Sequence, residues 1–215
     1  FRDCHNILFD ALIENVGTFA SNNKDTVYIP AQGGIDTLTV RSVFDFLNIK
    51  YETFDLPASP PVSSQLRSAL SENHWGFTQV KEENNSVIVT GFYGDEWILR
   101  NPYYAHVLLS QRDVDITKEF DKIENSYMKN YFEGYRNKCS KKSDVSTEEL
   151  ITQICNDFQI WHLHDTKFFS PLKHISLLDL LTADTQTIID QVTDAKLSKS
   201  IIERCNPDLL KLMDG

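Results

Sequence analysis

Apolar residues in the N-terminal part of the chain follow two kinds of spacing, one typical of strands and the other of helices. Short runs of β-branched and aromatic residues at 26–29, 51–54 and 86–90 are typical of buried strands. Between the first two runs, apolar residues recur at helical intervals over 40–47, which predicts an amphipathic helix. Similar spacing predicts another helix over 3–20. Because a strand, a helix and a second strand follow one another here, the pattern predicts a crossover unit and a parallel sheet.

The C-terminal part of the chain has mostly helical spacing instead. Thr147 is a candidate N-cap for a helix that runs to about residue 158, and Ser170-Pro171 has the signature of a further helix start. Thr185 is expected to begin another helix, and Ser198 to cap the last one. Because the pattern changes near residue 145, we predict an α/β core followed by a mostly helical C-terminal region.

Composition and charge narrow the classes of protein. The chain has 215 residues, of which 41% are hydrophobic, and no apolar run approaches the roughly 20 residues of a membrane span. The formal net charge of -10 argues against a nucleic-acid partner, because such binding depends on clustered Lys and Arg. The four cysteines are scattered and form no C-x-x-C pair, so we expect buried free thiols and a cytoplasmic protein.

A double-glycine segment, Ile29-Pro-Ala-Gln-Gly-Gly-Ile-Asp-Thr-Leu-Thr39, joins the first strand to the following helix. Gly33 and Gly34 permit backbone N–H groups to converge on an anion, and the helix start adds its positive dipole end. Thr37 offers a hydroxyl, whereas Asp36 would repel phosphate unless a magnesium ion lay between them. The pattern is therefore compatible with phosphate and Mg²⁺. The alternative is an ordinary strand–helix turn with Asp36 as its N-cap.

The segment Gln32-Gly33-Gly34-Ile35-Asp36-Thr37 resembles the pyrophosphate loop of the N-type ATP pyrophosphatases, Ser-Gly-Gly-x-Asp-Ser/Thr. Gln32 replaces the usual serine, and the other positions fit. A second segment, Thr90-Gly-Phe-Tyr-Gly-Asp-Glu96, resembles the Ser-Gly-x-Gly-x-Asp-Glu segment of the asparagine synthetase C-terminal domain. Since loops at the carboxyl ends of parallel strands share one crevice, we expect Asp36 and Asp95 to share a magnesium ion on a triphosphate. Taken alone, the second segment favours a surface turn with ordinary acidic residues.

Two looser matches follow in the same order as in that family. Residues 165–172 resemble its Glu-x-Arg-x-Pro-Phe-Leu-Asp segment, and residues 193–202 resemble the turn before its Lys-x-x-Leu-Arg helix. Lys199 falls on the phosphate-contacting lysine, with Lys196 as the second choice. A solvated lysine is the alternative for this position. Arg100, just after the acidic segment, is a further candidate to hold a carboxylate or phosphate.

The resemblance implies a pyrophosphate-loop ATPase fold of the adenine nucleotide alpha hydrolase-like type, with a nucleotide-binding core over 1–145 and a helical region over 146–215 that completes the same site. It implies ATP and Mg²⁺ as ligands and an unidentified small-molecule substrate. The lack of a long apolar run predicts no membrane partner, and the sequence does not indicate the oligomeric state. The reaction is adenylation of a carboxylate or carbonyl oxygen, with release of pyrophosphate and AMP, for amide or amidine formation. The implied roles are catalysis by Lys199, Asp95 and Glu96; metal binding by Asp36 and Asp95; and nucleotide binding by Gln32, Gly33, Gly34, Ile35, Asp36, Thr37, Gly91 and Phe92.

Two departures from the family pattern support rival functions. Phe92 stands where many asparagine synthetases have a glutamate, and Gln32 replaces the serine. These changes motivate a catalytically silent nucleotide-binding or interaction module, and asparagine synthesis itself is not expected. A tRNA-modifying pyrophosphatase is a third possibility, against which the acidic charge and the lack of paired cysteines count. His162 and His164, beside Asp165, are interpreted as structural residues rather than as a zinc site.

Overall fold

A computed structural model of the chain describes residues 3–30, 34–54, 86–91, 94–156 and 167–211. Within these ranges, a small parallel sheet is flanked by helices and followed by a mostly helical C-terminal region. The fold class predicted from the sequence is confirmed at this level. The boundary near residue 145 stays a prediction.

Among the described residues, the sheet has four strands, all of them parallel, in the spatial order β2-β1-β3-β4. Tyr28, on the central strand β1, pairs with Glu52 on one side and with Ile88 on the other. The three predicted strands are confirmed, and a fourth, which the sequence did not predict, comes from the mostly helical C-terminal region. The strands are β1 Thr26–Pro30, β2 Glu52–Phe54, β3 Ser86–Val89 and β4 Lys167–Phe169.

Two helices pack beside these strands and fill the core. Helix α1 spans Cys4–Asn22, and its N-cap Asp3 accepts a hydrogen bond from the backbone N–H of His5. Helix α2 spans Ile35–Phe46 and joins β1 to β2. Both helices confirm the predicted periodicity, because their apolar faces are buried against the sheet. The fully buried core includes Leu8, Leu12, Ile29, Val40, Val43, Phe44, Ile88 and Val89.

The middle of the chain forms four further helices after β3. The helix that follows the acidic segment, α3, is one turn long, and α4 begins at a proline behind its N-cap Asn101. The Asn101 side chain accepts a hydrogen bond from the backbone N–H of Tyr103 at 2.9 Å. The bounds are α3 Gly94–Trp97, α4 Pro102–Ser110, α5 Thr117–Phe120 and α6 Ser126–Cys139.

Of the predicted C-terminal helix starts, the one at Thr185 is confirmed, and the others differ from the structure. Helix α7 spans Thr147–Asn156, and Ser146 caps it: the Ser146 hydroxyl accepts from the N–H of Glu149, whose carboxylate accepts from the N–H of Ser146. Thr147 is therefore the first helical residue and not the cap. The N-terminal position of the helix was right to within one residue.

The predicted helix start at Ser170-Pro171 was wrong. These residues form a turn after β4, in which the N–H of Lys173 donates to the carbonyl of Ser170, and a 3₁₀ helix follows at Ile175–Thr182. Ser198 is not a cap either, because it lies buried inside α9 and its hydroxyl accepts from the Gln191 amide. The remaining helices are α8 Thr185–Asp194, α9 Lys196–Cys205 and α10 Pro207–Lys211.

The cysteines are free thiols, but only one of them is fully buried. Cys139 lies in the core, Cys4 and Cys205 are half-buried, and Cys155 is exposed. The expectation of buried thiols is thus confirmed for Cys139 and wrong for Cys155. No helix in the described ranges combines the length and apolar character that crossing a membrane requires.

Candidate functional site

The strand order reverses between β1 and β3. From β1 the chain continues to β2 on one side, while β3 and β4 lie on the other. In open parallel sheets, ligands bind outside the carboxyl ends of the strands at such a reversal. The loop after β1 leads into α2, and the loop after β3 leads into α3. Both glycine segments that the sequence singled out therefore flank this point.

Helix α2 begins at Gly34, which is its N-cap. The Gly34 carbonyl accepts hydrogen bonds from the N–H groups of Thr37 at 3.0 Å and Leu38 at 3.2 Å, and no side chain caps the helix. The alternative that Asp36 is the N-cap is therefore wrong. Asp36 lies inside the first turn, where the helix dipole favours its negative charge.

Two glycines of the second loop pack directly on this first turn. A Cβ atom added to Gly91 would lie 2.2 Å from the backbone nitrogen of Thr37 and 2.3 Å from the carbonyl carbon of Asp36. A Cβ added to Gly94 would lie 2.3 Å from Cγ of the Asp36 carboxylate. Neither glycine has a positive φ. Their role in the fold is close approach, which brings the two predicted loops into contact.

Arg100 completes the described part of this cluster. Its Nη1 donates to Oδ2 of Asp36 at 2.6 Å, and both side chains are mostly buried, with exposed fractions of 18% for Arg100 and 15% for Asp36. The sequence placed an anion-binding arginine here, but gave no sign that the anion would be Asp36. A charge-assisted bond in such a partly desolvated setting is stronger than one on the open surface.

The backbone just before Arg100 has an unusual conformation. Leu99 is fully buried and has a φ of 60°, a left-handed geometry that side-chain-bearing residues rarely adopt. Asn101, two residues after Leu99, is the N-cap of α4. Arg100 is therefore held between a left-handed residue and a helix cap. No sequence signal identifies Leu99, because leucine has no preference for this geometry.

Several predicted site residues can be placed only in part. Gln32, Gly33 and Phe92 lie outside the described residues, as does the His162–Asp165 segment. Asp95 and Glu96 belong to the single turn of α3 directly after Gly94, but their side chains are not among those described. Ile35 is buried, and Gly34 is exposed at the start of α2.

Helix α9, which carries Lys199, packs against α2. Ile202, about one turn after Lys199, shares a small buried cluster with Ile35 and Leu38 near the start of α2 and with Leu209 of α10. Asn206, just after α9, donates to Oδ2 of Asp45 near the end of α2 at 2.6 Å.

The amine of Lys199 is paired with an aspartate five residues earlier in the chain. Its Nζ donates to Oδ1 of Asp194 at 2.5 Å, and its side chain is 37% exposed. The second choice, Lys196, pairs with Asp190 at 2.7 Å, and this hydrogen bond raises the pKa of Lys196. Both lysines are thus already paired with aspartates. Lys199 would have to exchange Asp194 for a phosphate in order to take the role that the sequence implies.

A magnesium ion is compatible with the donor chemistry of this site. Asp36 supplies carboxylate oxygens, which Mg²⁺ prefers, and the backbone of Asp95 adjoins Gly94, against which the carboxylate packs. One of the two oxygens is engaged by Arg100. Among the side chains that the structure describes, no three acidic, histidine or cysteine groups cluster tightly enough to hold a metal ion by themselves.

Comparisons of the chain with family models, with curated proteins and with solved structures gave no match. The chemistry of the site is therefore argued from its own residues.

Proposed function

We propose that the protein is an asparagine-synthetase-like ATP pyrophosphatase of the pyrophosphate-loop fold. It would adenylate a carboxylate or carbonyl oxygen of a small substrate and release pyrophosphate, with AMP leaving when an amine or ammonia captures the adenylate. The observation that carries this proposal is the contact of Gly91 and Gly94 with the Asp36–Thr37 turn. Two motifs that are far apart in sequence meet at the reversal of the strand order, where nucleotides bind in folds of this kind.

The chain's own residues divide the work of such a reaction between them. The first turn of α2 would hold the phosphates through backbone N–H groups and the Thr37 hydroxyl, because a helix start favours anions. Asp36 and Asp95 would hold Mg²⁺, which neutralises charge on the triphosphate. Lys199 would stabilise the leaving pyrophosphate. Catalysis of this kind rests on positioning and charge neutralisation rather than on a covalent protein intermediate.

Product analysis tests the proposal directly. The protein is incubated with ATP, Mg²⁺ and pools of carboxylate-bearing metabolites, and AMP and pyrophosphate are measured. We expect Asp36→Asn to lower AMP formation by about a hundredfold or more, which is the usual cost of removing one group that stabilises charge in the transition state. Asp45→Asn, on the same helix but at its other end, serves as the matched control and should retain activity. ADP as the product, or full activity in Asp36→Asn, would reject the proposal.

A catalytically silent nucleotide-binding module is the second candidate, and one observation favours it. The carboxylate proposed to hold the metal is already paired with a guanidinium at 2.6 Å. Calorimetry with ATP and Mg²⁺, run beside the product assay, separates the two candidates. Binding without AMP formation across the substrate pools favours the module.

A further inference from the structure

We propose that Arg100 changes partner when the nucleotide binds. Its guanidinium pairs with Asp36 in the structure, and it would pair with a phosphate oxygen once Asp36 serves the metal. This inference rests on the proposed function, since it assigns a regulatory role to a residue of the same site. It makes Mg²⁺ and the triphosphate each dependent on the other for binding.

Arg100 and Mg²⁺ are two cations that would compete for one carboxylate, that of Asp36. Oδ2 of Asp36 accepts a hydrogen bond from Arg100 at 2.6 Å. A magnesium ion held by that carboxylate would place a second cation beside the guanidinium. Because both side chains are mostly buried, solvent screens their charges only partly. Mg²⁺ alone must therefore compete with Arg100 for Asp36.

An arginine that leaves a carboxylate can bind phosphate instead. A guanidinium presents a planar fork of N–H donors that fits phosphate oxygens as well as it fits a carboxylate. A bound triphosphate would offer Arg100 a replacement partner close to the carboxylate that it leaves. The arrival of phosphate thus frees Asp36 for the metal, and the metal in turn frees Arg100 for phosphate.

The packing around the pair determines which side chain moves. Gly94 abuts the Asp36 carboxylate so closely that even a methyl group would overlap it, which restricts movement of Asp36 on that side. The backbone at Arg100 is fixed by the left-handed Leu99 on one side and by the Asn101 cap on the other. The exchange therefore takes place by rotation about the side-chain bonds of Arg100, while the backbone stays in place.

Calorimetry of the full chain with three probes tests this inference: Mg²⁺ alone, inorganic pyrophosphate alone, and pyrophosphate in the presence of Mg²⁺. In the wild type we expect each ligand to strengthen binding of the other by about tenfold or more, within the usual range of coupling between sites. In Arg100→Gln, Mg²⁺ alone should bind about threefold more tightly, because its competitor is gone. Pyrophosphate should bind about tenfold more weakly in the same variant, because the fork has been lost. The mutual enhancement should fall accordingly.

Two further variants keep the test decisive. Arg41→Gln removes an arginine from α2, the helix that carries Asp36. Arg41 donates to Tyr51, and its loss should leave the coupling unchanged. Arg100→Lys keeps the charge without the fork, so it should fold even where the glutamine variant does not, and should show weaker pyrophosphate binding. Wild-type coupling in both Arg100 variants overturns the inference while the proposed function stands. A wild type that binds neither magnesium pyrophosphate nor magnesium ATP overturns both.

Discussion

Helix α2 has an aspartate near each end, and the two carboxylates have different surroundings. At the beginning, Asp36 faces a cation, Arg100, and is crowded by the backbone of Gly94. At the far end, Asp45 accepts hydrogen bonds from the Tyr51 hydroxyl and from the Asn206 amide, both at 2.6 Å. The helix dipole favours a negative charge at the first position and opposes it at the second.

This difference distinguishes a carboxylate that can exchange partners from one that fastens the fold. The partners of Asp45 are neutral groups from two other segments, the chain just before β2 and the junction of α9 with α10. Their hydrogen bonds offset the unfavourable interaction of the Asp45 charge with the helix dipole. They also join the end of α2 to the other two segments. Asp36 pairs with a charged side chain, Arg100, which under the proposed exchange would move to another anion. We therefore expect mutations at the two ends to separate ligand binding from stability.

The largest effect on stability is expected where Gly91 contacts the beginning of α2. Gly91→Ala would place a methyl group within about 2.3 Å of backbone atoms of α2, which cannot move aside as a flexible side chain can. We expect a loss of about 3 kcal/mol or more in the free energy of unfolding, at the upper end of overpacking effects. Urea denaturation measures it.

Gly134→Ala is the matched control for that substitution. Gly134 lies within α6, and nothing stands within 4 Å of an added Cβ. The control should gain about 0.5–1 kcal/mol, because alanine is the better helix former. Equal stability of Gly91→Ala and the wild type would show that the two loops do not meet as described.

An intermediate effect is expected at the far end of α2. Asp45→Asn replaces one acceptor oxygen by an amide that would face a donor, so we expect about 1–3 kcal/mol of destabilisation. Asp36→Asn should destabilise by less, since the amide oxygen of asparagine can still accept the hydrogen bond from Arg100. In magnesium pyrophosphate titrations the order should reverse, with binding lost in Asp36→Asn and retained in Asp45→Asn. If both variants lose binding and stability alike, the two ends do not differ in function.

The smallest effect concerns pH at the far end. Burial, and then the hydrogen bond to Asp45, raise the pKa of Tyr51 above its ordinary value of 10.0. Because the folded pKa is the higher one, the contribution of Tyr51 to stability is complete below about pH 10 and is lost as the pH rises through the folded pKa. Denaturation curves between pH 8 and 11 should therefore fall less steeply above pH 10 in Tyr51→Phe than in the wild type. Identical slopes would contradict the assignment.

The sequence predicted the elements of the core well because local patterns determine them. The spacing of apolar residues identified α1 and α2, and runs of β-branched residues identified β1 and β3. Strand β4 was missed, because three residues are too few to display a period. The cap of α7 was misplaced by one residue, although Ser146 and Glu149 have the spacing of a capping box and could have corrected it.

The site was predictable in position but not in its contacts. That the segments containing Asp36 and Gly91 would meet followed from the parallel sheet alone, since carboxyl ends of parallel strands share one edge. The pairing of Arg100 with Asp36 joins residues 64 positions apart, and no local pattern encodes such a contact. The left-handed Leu99 was equally hidden, because tertiary packing rather than residue preference imposes that geometry.

Strand β4 has a consequence for the order in which the molecule is assembled on the ribosome. The N–H of Thr90, the first residue after β3, donates to the carbonyl of Phe169 at the end of β4. The segment that supports Gly91 is thus anchored by residues that are synthesised nearly eighty positions later. Until those residues emerge from the exit tunnel, one side of β3 lacks its hydrogen-bonding neighbour. A nascent chain halted before that point would contain both glycine motifs and still lack the brace that holds the second one in place.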